Sequence, residues 1–338
     1  MLEELRMLTE AGGVSGDECE AAAAAAKLLE QYAQDVRTDP FGNVTGFIPA
    51  RAEGAKTLML DAHIDRVGFI VTYIDDDGFI KVGACGSPDM RAALAQSVTV
   101  HGRRDVRGVI SVLPPHVSAD RSHAPEAGEL CVDVGMTRDE AAAVIAPGDR
   151  VTINSAWREC CGRVSAPALD DRSGVYVILQ ALRKLGFERP AYNIAVCFSA
   201  QEETGERGAK QAAFRIAPDE AIAVDVSFGD TPDSSPEDVA KLGSGVMIGF
   251  SPALDKGMSR RLKRLAEKCG IAHTSEVMPQ TTGTNADAIS VSGAGVKCCT
   301  LSFPIRYMHT PAELADPRDM DAAAELIYRC IKGGADDE

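Results

Sequence analysis

The N-terminal third of the chain combines one long amphipathic segment with short apolar runs. Residues 17–36 are rich in alanine and place Leu28, Leu29 and Tyr32 on one helical face, which predicts a surface helix that covers a sheet. The run TLMLDAHID, residues 57–65, is apolar until its last positions. It predicts a buried strand that ends in polar side chains.

The middle of the chain, from about residue 70 to 160, has a different pattern. Short runs of strand-forming residues are separated by turn signals, and SVTVHGRRDVRGVISVL predicts a hairpin that turns between Gly102 and Asp105. Residues 138–144 are the one short helical candidate in this part. The pattern predicts a small β-barrel-like domain, residues 70–160, inserted into another domain.

Helix and strand patterns alternate after Asp170. Apolar strand-like runs such as NIAVCFSA, AIAVDVS and VKCCTLSF are interspersed with helical segments, the last of which spans residues 317–331. Such alternation is typical of a parallel sheet with helices on both faces. We therefore expect an α/β fold with a mostly parallel sheet flanked by helices, in which residues 1–69 and 161–338 form one domain around the insert.

Composition narrows the range of partners. The chain of 338 residues carries a formal net charge of -15, so we expect neither nucleic acid nor an anionic membrane as a partner. The N-terminal run MLEELRMLTEAGG is unlike a signal peptide, and no apolar run is long enough to cross a bilayer. These features predict a cytoplasmic protein. The ten cysteines include no CxxC pair, which argues against a zinc ribbon or a redox motif.

Polar side chains stand at the ends of the apolar strands, at the edge where ligands bind in open α/β sheets. The candidates are His63 and Asp65 after one strand, Glu202 and Glu203 after the next, Asp225 within a third, His309 after a fourth, and Asp170 just before a helix. This mixture of imidazoles and carboxylates favours two divalent metal ions, with zinc or cobalt first and manganese as a further candidate. Buried carboxylates this close together would repel one another unless cations compensated them.

Each candidate, taken singly, has a simpler explanation as a helix cap or a solvated surface residue. Their repetition at one edge of one sheet favours a shared site. The paired acids Glu202 and Glu203 also raise the alternative of a glycosidase. Adjacent residues of extended backbone point to opposite sides, however, so we do not expect this pair to flank one glycosidic bond.

A series of short motifs runs nearly from end to end of the chain: GVSGDE, DPFGNV, DAHIDRVGF, PPHV, DVGM, ALDDRSG, QEETGERGA, VDVSFGDTP, GTNADAI and IRYMHTPAE. Their order and number resemble the M42 family of metallo-aminopeptidases, the tetrahedral or glutamyl aminopeptidase group. The resemblance implies a two-metal exopeptidase fold with a β-barrel-like insert. It also implies hydrolysis of N-terminal residues from short peptides. Members commonly assemble through the insert as hollow tetrahedral dodecamers, so we expect a homo-oligomer.

The resemblance implies metal ligands among the candidates. His63, Asp170 and Asp225 would hold one ion. Asp170, Glu203 and His309 would hold the other, so Asp170 would bridge the pair. The expected ions are zinc or cobalt, and a pair of such ions activates water for attack on a peptide carbonyl.

The resemblance also implies roles for residues beside the metal ions. Glu202 would be the general base that takes a proton from the attacking water, and Asp65 would orient the imidazole of His63. Related two-metal peptidases have a cis peptide bond where this chain has Asp170 followed by Asp171. We therefore expect the same bond to be cis here.

Two residues depart from the family pattern. Arg66 stands where a glutamate is usual, and Asn285 stands where an aspartate is usual, so the roles of those carboxylates are not carried over. A related two-metal deacylase or carboxypeptidase is an alternative, with Arg66 and Arg306 as the candidate residues that would bind a substrate carboxylate. A catalytically silent assembly protein of the same fold is a further alternative. The retention of Glu202 and of the full ligand set argues against it.

Overall fold

The computed structural model describes residues 2–111 and 124–333, and the motif PPHV, residues 114–117, lies outside them. The α-helices are α1 Leu2–Glu10, α2 Cys19–Leu29, α3 Met90–Ala93, α4 Arg138–Val144, α5 Leu169–Leu185, α6 Arg207–Ile216, α7 Lys256–Cys269, α8 Asn285–Ser290 and α9 Pro317–Gly333. The strands are β1 Gln34–Thr38, β2 Val44–Ile48, β3 Thr57–His63, β4 Gly68–Ile74, β5 Ile80–Cys85, β6 Ser97–His101, β7 Asp105–Ile110, β8 Cys131–Asp133, β9 Arg150–Ile153, β10 Arg158–Cys160, β11 Arg163–Ala166, β12 Asn193–Ser199, β13 Glu220–Phe228, β14 Val246–Phe250, β15 His273–Val277, β16 Lys297–Arg306 and β17 Glu313–Ala315.

The larger sheet has the strand order β1-β2-β12-β3-β13-β16-β17-β11-β10, with β14 joined to β16 and β15 joined to β14. Its centre is parallel: β3 pairs with β12 and β13, and β13 pairs with β16. Antiparallel strands close both edges, where β1 pairs with β2 and β10 pairs with β11. The carboxyl ends of the central strands therefore meet along one edge of the sheet.

Helices cover both faces of this sheet. Leu58 and Leu60 of β3 pack into the larger core, together with residues of α1, α2, α5, α7 and α9. Met59, which lies between them, packs into a separate cluster with residues of α6 and α8. Alternate side chains of one strand thus enter different cores, as the two-residue period of a strand requires. The predicted α/β fold is confirmed.

A second sheet forms a closed barrel in the order β4-β5-β8-β7-β6-β9. Its interior is a separate apolar core that includes Phe69, Val82 and Val132. The predicted hairpin is present, since His101 of β6 pairs with Asp105 of β7. Closure of the barrel removes the edge strands of this sheet, which suits a small all-β unit.

One predicted helix is shorter than expected. The pattern over residues 17–36 predicted a continuous helix, but α2 ends at Leu29 and the chain re-enters as β1. Asp35 has a φ of 54°, which is incompatible with a continuing right-handed helix. Val36 follows Tyr32 at helical spacing, but it belongs to the strand. Among the helices that the structure describes, none is long and apolar enough to cross a membrane.

Candidate metal centre

Asp170 lies between the two histidines of the site. Its Oδ1 is 3.0 Å from His63 Nε2, and its Oδ2 is 3.1 Å from His309 Nε2. The side chains of Asp170 and His63 are buried, whereas His309 is partly exposed. One carboxylate therefore presents a separate oxygen atom to each imidazole, which is the geometry of a bridging ligand.

The other predicted ligands surround this carboxylate. Glu203 Oε1 is 3.4 Å from His309 Nε2, and Asp225 Oδ1 is 4.0 Å from His63 Nε2. Potential ligand atoms of His63, Asp170 and Glu203 all lie within 4.8 Å of one another, as do those of His63, Asp225 and Asp171. These two groups share His63, and the second contains Asp171, which was not predicted as a ligand. His309 belongs to neither group and adjoins the first through its contacts with Asp170 and Glu203.

The parallel sheet explains this convergence. β3 and β13 are neighbours, and Asp61 lies opposite Ala223 in their register. Two residues further along each strand come His63, the last residue of β3, and Asp225, which lies in the carboxyl half of β13. Because successive side chains alternate in direction, these two side chains share a face with the pair that precedes them.

Asp65 organises the loop that carries the two glutamates. Its Oδ1 accepts a hydrogen bond from the backbone N–H of Glu202 at 3.0 Å, and its Oδ2 accepts one from that of Glu203 at 3.1 Å. The Nδ1 atom of His63 is 3.2 Å from the backbone carbonyl oxygen of Asp65 and 3.5 Å from its carboxylate. Asp65 thus contacts the far side of the His63 ring while it holds the loop after β12.

Glu202 and Glu203 were expected to lie in extended backbone, which argued against a glycosidase, and this expectation is wrong. Glu202 and Glu203 lie in a turn after β12 and not in extended backbone, and both side chains line the same cavity. Glu202 Oε2 is 4.0 Å from His63 Nε2, whereas Glu203 approaches His309. Each glutamate therefore lies against a different imidazole, which fits a metal ligand next to a general base.

Sequence reasoning missed a supporting carboxylate, Glu313. Its Oε2 accepts a hydrogen bond from the backbone N–H of Asp170 at 3.1 Å, and its Oε1 accepts one from that of His309 at 3.0 Å. The Nδ1 atom of His309 is also 2.9 Å from the carbonyl oxygen of Ser87. Glu313 stands in the motif IRYMHTPAE, which was the one signal available for it.

Asp171 is a second supporting carboxylate. It accepts hydrogen bonds from the backbone N–H of His63 at 3.2 Å and from that of Gly174 at 3.1 Å. The second of these bonds caps the regular part of α5. The peptide bond between Asp170 and Asp171 is cis, as predicted.

Several residues around the site have left-handed backbone conformations although they are not glycine. Their φ values are 53° at Ala168, 59° at Gln201 and 61° at His309. A β-carbon makes this conformation unfavourable, so surrounding contacts must hold it. At His309 such contacts are the hydrogen bonds that its backbone N–H donates to Glu313 and its ring donates to the Ser87 carbonyl oxygen.

The two residues that depart from the family pattern, Arg66 and Asn285, each have compensating neighbours in the structure. The guanidinium of Arg66 is attracted by Glu313 and Glu203, although burial lowers its pKa. Asn285 donates hydrogen bonds from Nδ2 to Asp61 Oδ1 at 2.7 Å and to Ser199 Oγ at 2.8 Å. The amide thus supplies a donor to a fully buried carboxylate, which an ionised aspartate at that position would repel.

The histidines carry shifted pKa values. Burial acts to lower the pKa of His63, but hydrogen bonds to Asp170 and Asp65 outweigh it and hold that pKa well above its usual value. Burial also opposes protonation of His309, yet its bond to Asp170 and the charge of Glu203 raise its pKa to about 9. Both imidazoles are therefore in a strongly negative environment.

The pKa values of several neighbouring carboxyl groups are raised as well. Burial, reinforced by neighbouring carboxylates, raises the pKa of Glu202 to about 8 and that of Asp225 to about 8. Burial also raises the pKa of Glu203 well above its usual value. A divalent cation would favour the ionised forms and relieve this repulsion. The imidazole and carboxylate donors are those that zinc and other divalent ions take, so the residues present fit a metal centre.

A cavity of about 1090 Å³ opens beside these residues. It is lined by His63, Asp170, Glu202, Glu203, Asp225 and His309 at one end, and by residues of β14, β15 and the segments next to them elsewhere. A cluster of this kind at the carboxyl edge of a mostly parallel sheet, with a cavity beside it, is typical of a metal-dependent hydrolase.

Comparison with known proteins identifies the hydrolase family. Residues 42–326 match the family model of the M42 glutamyl aminopeptidases, so the chain belongs to this family of peptidases. A lysyl aminopeptidase of Pyrococcus furiosus is 33% identical, with 98% of this chain and 96% of that protein covered.

Solved structures of aminopeptidases share the whole fold. An aminopeptidase of the archaeon Desulfurococcus kamchatkensis has a TM-score of 0.92 at 33% identity, with 98% of this chain and 94% of that chain covered. The TET1 peptidase of Pyrococcus horikoshii, which can assemble into a tetrahedron or a large octahedral shell, has a TM-score of 0.86 at 28% identity, with coverage of 98% and 99%. The chain is therefore a peptide-bond hydrolase of the aminopeptidase type.

Proposed function

We propose that this protein is a dinuclear metal-dependent aminopeptidase that removes N-terminal residues from short peptides. The observation that carries the proposal is the position of Asp170, whose two carboxylate oxygens approach His63 and His309 at 3.0 and 3.1 Å. With Asp225 beside His63 and Glu203 beside His309, the residues divide into two ligand sets that share Asp170.

The donor set favours zinc or cobalt at both positions. In this assignment His63, Asp170 and Asp225 hold one ion, and Asp170, Glu203 and His309 hold the other. When bound, such ions supply Lewis-acid polarisation of the scissile carbonyl and lower the pKa of water. Glu313 and Asp65 keep the protein ligands in place through the hydrogen bonds described above.

Glu202 is the proposed general base. Its carboxylate lines the cavity next to His63, and Asp65 fixes its backbone. Glu202 takes a proton from the attacking water and then delivers it to the nitrogen of the leaving amine. The carboxylates at this end of the cavity also attract the free ammonium group of a peptide, which confines cleavage to the N-terminus.

The structure disfavours the carboxypeptidase or deacylase alternative. That reading requires Arg66 or Arg306 to bind a substrate carboxylate. The charges of Glu313 and Glu203 act to raise the pKa of Arg66, and Arg306 is paired with Asp230 at 2.8 Å. Of the residues that the structure describes, those lining the cavity include neither arginine.

Removal and replacement of metal tests the function. We expect chelator-treated protein to hydrolyse aminoacyl p-nitroanilides at background rate and to regain activity with zinc or cobalt, because the carboxylate cluster lacks its cations without them. N-acetylated forms of the same substrates should remain uncleaved, since they lack the free amine. Full activity after complete removal of metal, measured by elemental analysis, would contradict the proposal.

We further propose that residues 1–69 and 161–338 form the catalytic domain of a cytoplasmic enzyme, and that residues 70–160 form an insert that supports a homo-oligomer. At the boundaries the sheets differ slightly from this division, since Gly68 and Phe69 belong to the barrel and β10 belongs to the larger sheet. Large apolar side chains are exposed on the barrel, with Tyr73 51% and Val109 47% exposed. The insert also contributes the Ser87 carbonyl to the site, so its deletion would disturb His309. A point substitution on the barrel is therefore the better test.

We expect light scattering to give a mass that is a multiple of the 35.7 kDa chain, up to a dodecamer. Val109→Asp should lower that mass, because it places a charge on an exposed apolar position of the barrel. Circular dichroism checks that the variant is folded, and an exposed barrel substitution such as Arg107→Gln is the control. A wild-type monomer at working concentration would refute the assembly.

A further inference from the structure

The cavity extends from the metal ligands across one face of the larger sheet. In the strand registers, Asp225 lies beside Ser302, Ser302 lies opposite Met247, and Met247 lies beside Thr274. Side chains of paired residues point to the same face of a sheet, so this row carries the cavity wall from β13 across β16 and β14 to β15. All four residues line the cavity.

Glu276 lies on the same face of β15, two residues after Thr274, and also lines the cavity. Its Oε1 accepts a hydrogen bond from Ser227 Oγ. Its Oε2 is buried and has no hydrogen-bond partner of normal geometry among residues 2–111 and 124–333, although the hydroxyl of Ser302 lies close enough to act to lower the pKa of Glu276. Glu276 makes no ion pair with any residue in these ranges, so its carboxylate presents an uncompensated charge to the cavity.

Two hydroxyl groups in the cavity also favour a ligand that forms hydrogen bonds. Thr274 Oγ1 and Ser244 Oγ line the cavity, are buried and lack a hydrogen-bond partner within the described part of the chain. Buried polar groups without partners are costly, so a site that contains several of them is suited to a ligand that supplies donors. Met247 and Met278 provide apolar surface in the same cavity, against which a hydrocarbon stem can pack.

The position of Glu276 matches the length of a basic side chain. Ser227 follows Asp225 by two residues on one face of β13, which corresponds to roughly 7 Å along the strand. The carboxylate bound to Ser227 is thus displaced by about that distance from the metal ligand. An extended lysine side chain spans about 6 Å from its Cα to its ammonium nitrogen.

We propose that Glu276 determines the specificity of this enzyme by binding the ammonium or guanidinium group of an N-terminal lysine or arginine. The inference rests on the proposed aminopeptidase function and adds the class of substrate. The free Oε2 accepts the hydrogen bond from the substrate cation, while Ser227 holds the other oxygen. The alkyl stem of the substrate lies against the methionines.

The charged side chains at the mouth of the cavity do not neutralise the carboxylate of Glu276. Lys241, Glu237 and Asp238 line the cavity but are exposed to solvent, so their charges are screened by water. Burial raises the pKa of Glu276, and a bound cation would offset this effect. A neutral amide donor, as in glutamine, is the competing occupant and is included in the test.

The test compares lysyl, arginyl, glutaminyl and norleucyl p-nitroanilides with the metal-loaded enzyme. Norleucine resembles lysine without the ammonium group, so their ratio isolates the charge. We expect kcat/KM to favour the lysyl and arginyl substrates over the norleucyl one by about 10- to 100-fold. Glu276→Gln should lower kcat/KM for the basic substrates by about 30- to 5000-fold, the range for loss of one partner of a buried charge pair. Its norleucyl hydrolysis should stay within about threefold of wild type.

Glu237→Gln is the matched control, because it removes one exposed carboxylate from the rim of the same cavity. It should change the lysyl-to-norleucyl ratio by less than about threefold. A wild-type enzyme that prefers norleucyl or glutaminyl substrates would overturn the assignment while leaving the aminopeptidase function intact. An equal loss on all substrates in Glu276→Gln would also overturn it, since that result indicates a structural role. A metal-loaded enzyme that cleaves no aminoacyl substrate would refute both proposals.

Discussion

Glu202→Gln is expected to abolish turnover while metal content stays close to that of the wild type. Glutamine keeps the size of the side chain but cannot accept a proton, and general-base catalysis contributes about 100- to 10,000-fold in rate. The backbone N–H of Glu202 would still donate to Asp65, so the loop should keep its position. Steady-state kinetics on an aminoacyl p-nitroanilide, with metal analysis of the same sample, measures both quantities.

Substitutions of proposed ligands should behave differently. Glu203→Gln and His309→Ala are expected to lose metal, because both side chains belong to one proposed ligand set. His309 Nε2 is 3.1 Å from Asp170 Oδ2 and 3.4 Å from Glu203 Oε1. Activity lost in these variants should therefore parallel metal lost. If Glu202→Gln retained near-normal activity on every substrate that the wild type cleaves, another residue would have to be the base.

Much of the fold could be predicted because its signals are local. The run TLMLDAHID is buried in the sheet as β3, since its apolar side chains enter cores on both faces. The barrel hairpin followed from the turn between Gly102 and Asp105. The end of α2 could not be predicted, because the spacing of Tyr32 and Val36 fits a helix equally well. Only the pairing of β1 with β2 shows that the chain forms a strand here and not a longer helix.

The candidate site was predictable where residues follow strands. His63 and Asp225 could be placed together because the carboxyl ends of parallel strands share an edge. Glu313 could not, since its contacts are with backbone groups of Asp170 and His309 that only the folded chain brings near. Glu276 carried no signal either, because a glutamate in a short strand is normally solvated, and its place in the cavity depends on the pairing of β13, β16, β14 and β15.

Asp170→Asn provides the sharpest test of the two-ion arrangement. A carboxamide has one acceptor oxygen where the carboxylate has two, so it cannot serve both ligand sets. We expect metal content to fall from about two equivalents per chain to fewer than about one, and turnover to fall to background, since both sets depend on this residue. Elemental analysis and kinetics on the same preparation measure the effect, and a thermal melt confirms folding.

Asp238→Asn is the control for this substitution, because Asp238 is an exposed aspartate that lines the same cavity. It removes the same charge from the same cavity without touching His63 or His309, so metal content and turnover should remain close to wild type. If Asp170→Asn lost one ion and kept the other, the remaining ligand set would bind its ion without the bridging carboxylate. Retention of about two ions with full activity would show that Asp170 does not join the sets, and that the hydrogen bonds to the two imidazoles have a structural role only.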